Sequence, residues 1–210
     1  PYSAAGFSLW GWALFFLAFL ALQIWLLPVL TDWVSSAVDE GYTAFAARRI
    51  QEGAWPHRDF FFLWTPGTAY LHAFLQAIGC DWLWERGVAL AASAGSFCLI
   101  LKRALTWFDR RGDRWLLSAM LTGWSFSLWN IPYSSWYAVF LALLAIEILP
   151  RSEIWAGFLF GLAFWFKQNI GILAFAGSLS FLFLVVRERK AAWKLAWAFL
   201  LVMTTPFFLL

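Results

Sequence analysis

The groups able to do chemistry are few, and most crowd into one segment, "SSAVDEGYTAFAARRIQEGAWPHRDFFFLWTPG", residues 35–67. Asp39 and Glu40 stand together where a helix should begin. Ser36-x-x-Asp39 has the spacing of a capping box, and acids favour the positive end of a helix. A carboxylate held there can also act as a general base or a metal ligand. In "PHRDF", residues 56–60, His57 and Asp59 could join Asp39 around a divalent ion or bind a polar substrate; the plainer alternative is a solvated loop. His72, further on, reads as an interfacial side chain. Lys167 ends the apolar run "GFLFGLAFWF", and its nearest acids are Glu153 and Glu188. A charge at the end of an apolar helix either snorkels to water or holds an anion such as a lipid-linked phosphate. Gln168 and Asn169 add donors beside it, and Arg86 raises the same pair of roles. Gly157 and Gly161 have the GxxxG spacing of close helix packing.

The elements that must position these groups are membrane helices. Of 210 residues, 63% are hydrophobic and 13% charged, with 17 Trp and 23 Phe. A soluble domain carries about twice that charge. Residues 1–31 and 115–146 contain no charged side chain, and uncharged apolar runs of about 18 residues or more read as spans. The fold class is therefore all-α, a polytopic transmembrane bundle. Its spans fall at about 6–30, 83–103, 115–130, 134–149, 154–168, 170–186 and 195–210, about seven in all. The first run is too long and wrongly flanked for a cleaved signal peptide. No CxxC, HExxH or phosphate-binding loop is present, and Cys80 and Cys98 give no disulfide framework. Nucleic acid is excluded as a partner, because no basic face alternates with exposed aromatics. No repeat or linker divides the chain, which reads as one domain over 1–210, the N-terminal module of a longer protein.

Charge sets the orientation. Residues 102–114 carry five Lys and Arg, and 187–194 carry four. Short basic loops stay cytoplasmic. Residues 31–81 carry six of the twelve acids and three Arg, which places this segment outside. Two helices lie in that outer loop, 31–82. The first, about 39–52, has Val38, Tyr42, Phe45, Ala46 and Ile50 at helical spacing, the pattern of a helix lying in the interface plane. Gly53 and Pro56 stop it. The second runs from Thr65, as cap, and Pro66 to Gly79, about 14 residues and too short for a ~30 Å hydrocarbon core.

These residues resemble a family. "DEGYTAFAARRIQEGAWPHRDFFFLWTPGTAYLHAFLQAIG" is similar to the first outer loop of the GT-C superfamily. These are integral-membrane glycosyltransferases that use polyprenyl-phosphate sugars, and the likeness is to the family 39-type bacterial members akin to protein mannosyltransferases and lipid A aminoarabinose transferase. The shared order is an acid pair, Gly, Tyr, an amphipathic helix, Gly, a Pro-(Tyr or His)-Arg-Asp-Phe-Phe stretch, a Pro-rich turn, an aliphatic helix, Gly, and an Arg opening the next span. "AGFLFGLAFWFKQNIGIL" resembles a second family segment.

The resemblance implies an enzyme of the bacterial plasma membrane, multi-pass, with its active loop facing outward. The donor is a sugar on a polyprenyl monophosphate, and the acceptor is a hydroxyl or amine of a glycan, lipid or protein. Asp39 would be the general base in an inverting displacement. Lys167, with Arg86 or Arg49, would hold the phosphate, and Glu40, His57 and Gln168 would complete the substrate site. Asp59 would be a second carboxylate for sugar hydroxyls or, with Asp39, for a divalent metal, the one cofactor under consideration. The chain departs from many relatives in having no acid from Asn130 to Glu147, and metal binding built on that acid is in doubt. The family's C-terminal spans and soluble outer domain lie beyond this segment, which alone should be inactive. Two other functions are open: a transporter or flippase for lipid-linked sugars, and a non-catalytic membrane homologue. A transporter would place ionisable groups mid-span, whereas here the acids gather in the outer loop.

Overall fold

A computed structural model describes residues 37–107, 113 and 133–209, together with 17, 18 and 21. Among the described residues every regular element is a helix. They are α1 (Ala37–Gln51), α2 (Gly67–Ala77), α3 (Trp82–Ala104), α4 (Ser134–Ile148), α5 (Glu153–Phe166), α6 (Gln168–Ser180) and α7 (Arg189–Leu209). A 3-10 turn, Leu105–Trp107, follows α3, and a π-helical turn, Phe181–Val186, continues α6. The expected spans at 6–30 and 115–130 lie outside the described residues, apart from 17, 18 and 21.

The two glycines read as helix stops do that work. Gly53 and Gly79 sit at φ +87° and +85°, where a side chain would be strained. Ala54 N donates to Arg49 O and Gly53 N to Ile50 O; Cys80 N donates to Leu75 O and Gly79 N to Gln76 O. Both are Schellman ends, which satisfy carbonyls the helix leaves open. The start of α2 differs from expectation. It begins at Gly67, with Pro66 in helical geometry and no side-chain cap, so Thr65 does not cap it. Gly67 is needed for another reason: a Cβ there would lie 2.6 Å from Trp165 O.

The segment from α1 to α2 has a small core of its own. Ala46, Phe62 and Ala69 are buried, with Tyr42, Ile50, Phe60 and Trp64 packed around them. Tyr42, Ala46 and Ile50 of the apolar stripe of α1 thus cover this core, while Phe45, counted in the stripe, is 52% exposed. From Phe60 to Trp64 burial alternates: Phe62 points in while Phe61 and Leu63 point out. The Tyr42 hydroxyl fixes this stretch, donating to Phe61 O at 3.1 Å and accepting from Leu63 N at 3.0 Å.

The main core centres on α5. Phe160, Ala163 and Ala156 meet Ala142 and Ala145 of α4 and Leu195 and Phe199 of α7. The GxxxG spacing is the contact with α7: a Cβ on Gly157 would come within 2.5 Å of Leu195 O, and one on Gly161 within 2.6 Å of Val202 Cβ. Helix ends sort into two groups. At one end Glu147 of α4 pairs with Lys102 and Arg103 of α3, and Lys194 of α7 lies 3.9 Å from Glu153 of α5. At the other end α2 meets the last turn of α5, and Lys167 reaches Ser135. Two described helices are long and apolar enough to cross a membrane: Trp82–Ala104, and Gln168–Val186 at mean hydropathy 2.1. Only 11% of the latter window is buried. α4 and α5 are apolar but, at 15 and 14 residues, only about 21–23 Å long.

Candidate functional site

The acid pair opens α1. Asp39 occupies the third helical position, and its side chain and Ser36 lie outside the described residues. Glu40 is engaged by Arg86 through a two-pronged contact, Nε to Oε1 at 2.8 Å and Nη2 to Oε2 at 2.6 Å. The arginine side chain is 7% exposed and the glutamate 23%. The planar guanidinium matches the carboxylate, and its face lies 4.8 Å from the Trp82 ring. Breaking a largely buried pair by removing one partner costs about 3–5 kcal/mol. Arg86 therefore holds α1 onto α3, one residue along from Asp39, with two of its five donors on Glu40.

His57, Arg58 and Asp59 form a tight local turn. Arg58 N and Asp59 N both donate to Trp55 O, and Asp59 Oδ2 accepts from Trp55 N at 2.8 Å. Arg58 lies against the same carboxylate, Nη2 to Oδ2 2.8 Å. The Arg58 hydrogen bond and the Trp55 amide hold the Asp59 carboxyl down at about 2. His57 takes φ +67° and faces water, a conformation of notable cost outside glycine. Arg49, the other candidate cation, pairs with Glu52 at 2.9 Å. Among the described residues no three His, Cys, Asp or Glu side chains gather to hold a metal ion; the Asp39 carboxylate lies outside that set.

Lys167 occupies the corner between α5 and α6. It is extended, φ −153° and ψ 106°, ending one helix and starting the next. Its N–H donates to Ala163 O and its carbonyl accepts from Gly171 N. The reversal brings Gly171 against Phe164, whose backbone N would lie 2.3 Å from a Cβ. Lys167 Nζ donates to Ser135 Oγ at 2.7 Å and makes no ion pair among the described residues. The Lys167 side chain does not cap α6; Asn169 Oδ1 accepts from Ile170 N at 2.9 Å, and Gln168 and Asn169 are exposed in the first turn. An ammonium without a carboxylate partner, beside the amides of Gln168 and Asn169 at a helix start, is a setting that favours an anion.

One group was misread in the sequence. His72 is 1% exposed, not interfacial, because α2 packs that face inward. Its Nδ1 lies 2.7 Å from Glu85 Oε2, out of line for a ring N–H hydrogen bond. Gln76 Nε2 donates to Glu85 Oε1 at 2.7 Å. Thr68, His72 and Gln76 recur at one-turn spacing, a polar stripe along α2 that the sequence does display. Nothing in the sequence marks Glu85 as its partner. Glu85 and Arg86 are neighbours, so the first turn of α3 binds α2 through one residue and α1 through the next.

Compared with protein-family models, with curated proteins and with solved structures, the chain finds no match. An acid-bearing loop, locked to the bundle by Glu40–Arg86 and Glu85–Gln76, lies at the same end as an ammonium without a carboxylate partner.

Proposed function

We propose that the protein is an integral-membrane glycosyltransferase taking its sugar from a polyprenyl-phosphate donor, with Asp39 as general base and Lys167 as the donor's phosphate ligand. One observation carries this most directly. Gly67, at the start of α2, abuts the backbone of Trp165, two residues from Lys167. The acidic loop and the unpaired cation therefore share one end of the bundle. An apolar exterior supports a membrane setting: Leu173, Leu184, Val185, Trp197 and Leu201 are each about two-thirds exposed or more, and so large an apolar surface needs lipid or protein over it. The uncharged apolar runs support a multi-pass chain of about seven spans, and the charge distribution supports placing 31–82 outside.

In this account an acceptor hydroxyl or amine approaches from the outer aqueous side. Asp39 takes its proton as the oxygen or nitrogen attacks the sugar's anomeric carbon. The carbon–phosphate oxygen bond breaks, and the polyprenyl phosphate leaves with the bonding pair. Phosphate leaves readily, so cations matter more than an acid; Lys167, Gln168 and the first amides of α6 would carry the developing charge. Arg86 serves by fixing Glu40, and the phosphate role considered for it passes to Lys167. Asp59 and His57 would meet sugar hydroxyls from the turn.

The test is direct. Membranes from cells producing the full-length protein are given a polyprenyl-phosphate donor labelled in the sugar. Label should move from the lipid to an acceptor. Labelled lipid that crosses the bilayer unchanged would favour a transporter and overturn glycosyl transfer.

A further inference from the structure

At the end of the bundle remote from the acidic loop, the chain builds a different kind of site. The π-helical turn widens the end of α6, and a groove of about 340 Å³ opens between it and α7. Leu179, Phe183, Leu184, Trp193 and Ala196 line it, with Ser180 the sole hydroxyl. The rim is cationic. Residues 187–194 read "RERKAAWK", four cations against Glu188. Arg187 takes φ +62° to turn the chain into α7. Arg187, Arg189 and Lys190 are exposed and make no ion pair among the described residues, while Lys194 stands 3.9 Å from Glu153. Arg189 lies over the Phe183 ring at 5.7 Å, at the seam between groove and rim.

We propose that this groove seats an acyl chain of an anionic phospholipid whose phosphate rests on Arg187, Arg189 and Lys190. The inference shares the membrane setting of the proposed function and is independent of the reaction. A greasy channel alone would accept any lipid tail; the charge at its mouth selects the headgroup. Three unpaired cations beside one free acid leave a net positive rim, which suits a phosphodiester with no compensating ammonium. Each cation near an anionic lipid surface strengthens binding roughly fivefold. The site lies at the end carrying the basic loops, which the positive-inside rule assigns to the cytoplasm.

The purified chain is incubated with phosphatidylglycerol or phosphatidylcholine of identical acyl chains, and retained lipid is counted by native mass spectrometry. Phosphatidylglycerol should be retained preferentially. R187A/K190A should lower its retention about 25-fold and leave phosphatidylcholine unchanged. Ser180→Trp, which fills the groove from an exposed position, should lower retention of both lipids. Equal retention of the two lipids, or phosphatidylglycerol binding unmoved by the double variant, overturns the site. Cell fractionation run in parallel separates this from the membrane setting: a chain recovered in the soluble fraction would overturn both.

Discussion

At the scale of single residues, three acids near the start of α1 and α3 and in the turn between α1 and α2 divide by partner. Glu40 is committed to Arg86, Glu85 to Gln76 and His72, and Asp59 to Arg58 and the Trp55 amide. Asp59 gives a testable consequence. Its ordinary value is 3.8 and its folded value about 2. A carboxylate lowered on folding stabilises the fold fully above the unfolded value and loses that contribution as pH falls through the folded one. Carbon-13 NMR of labelled aspartate should therefore find Asp59 titrating near 2, and Arg58→Ala should move it up toward 3.8. An unmoved midpoint would remove Arg58 as the cause. The candidates Asp39, Glu40 and the "PHRDF" turn were legible as residue type and spacing. The pairings were not, because the Glu40–Arg86 contact joins residues 46 apart, and sequence separation of that size carries no local signal.

At the scale of elements, glycines decide how closely helices pass. A Cβ on Gly157 would come within 2.5 Å of Leu195 O on α7, whereas one on Gly41 in α1 meets nothing within 4 Å. Gly157→Ala must push backbone aside, and overpacking of this kind costs about 1–3 kcal/mol. Gly41→Ala meets open space and should gain up to about 1 kcal/mol of helix propensity. Thermal unfolding in detergent should show a lower midpoint for the first and an equal or higher one for the second. The same direction for both would contradict the packing. The GxxxG contact and the Gly53 and Gly79 stops were readable because each follows from one residue's missing side chain. The start of α2 was not, since Thr65 and Pro66 offer an ordinary cap while the close approach of Trp165 comes from a helix about a hundred residues away. The inward face of α1 escaped for a related reason: helical spacing marks an apolar stripe but not what covers it.

At the scale of the molecule, two ends carry different chemistry. One holds the acidic loop and Lys167; the other holds Glu147 with its two cations and the basic rim of α7. The native cysteines report on this polarity. Cys80 follows α2 in the acidic loop, and Cys98 lies within α3. A membrane-impermeant maleimide added to intact spheroplasts should label Cys80 and leave Cys98 unmodified. Labelling of Cys80 only after the membrane is opened would invert the orientation. All-helical architecture and the division of charge between ends were legible from composition, because lipid leaves the backbone few alternatives. How the shorter helices α4 and α5 sit in a bilayer was not, as their apolar character is plain but their length falls short of a full crossing.

The proposed role of Asp39 is to take the acceptor's proton, and Asp39→Asn in the full-length protein isolates that role. The substitution keeps the size and the hydrogen-bonding reach of the side chain while removing the base. General-base catalysis contributes about 10²–10⁴-fold, so kcat for sugar transfer should fall by at least about a hundredfold. The KM for the polyprenyl-phosphate donor should stay near the wild-type value, because Lys167 is untouched. Transfer by the Asn variant at the wild-type rate would contradict the account.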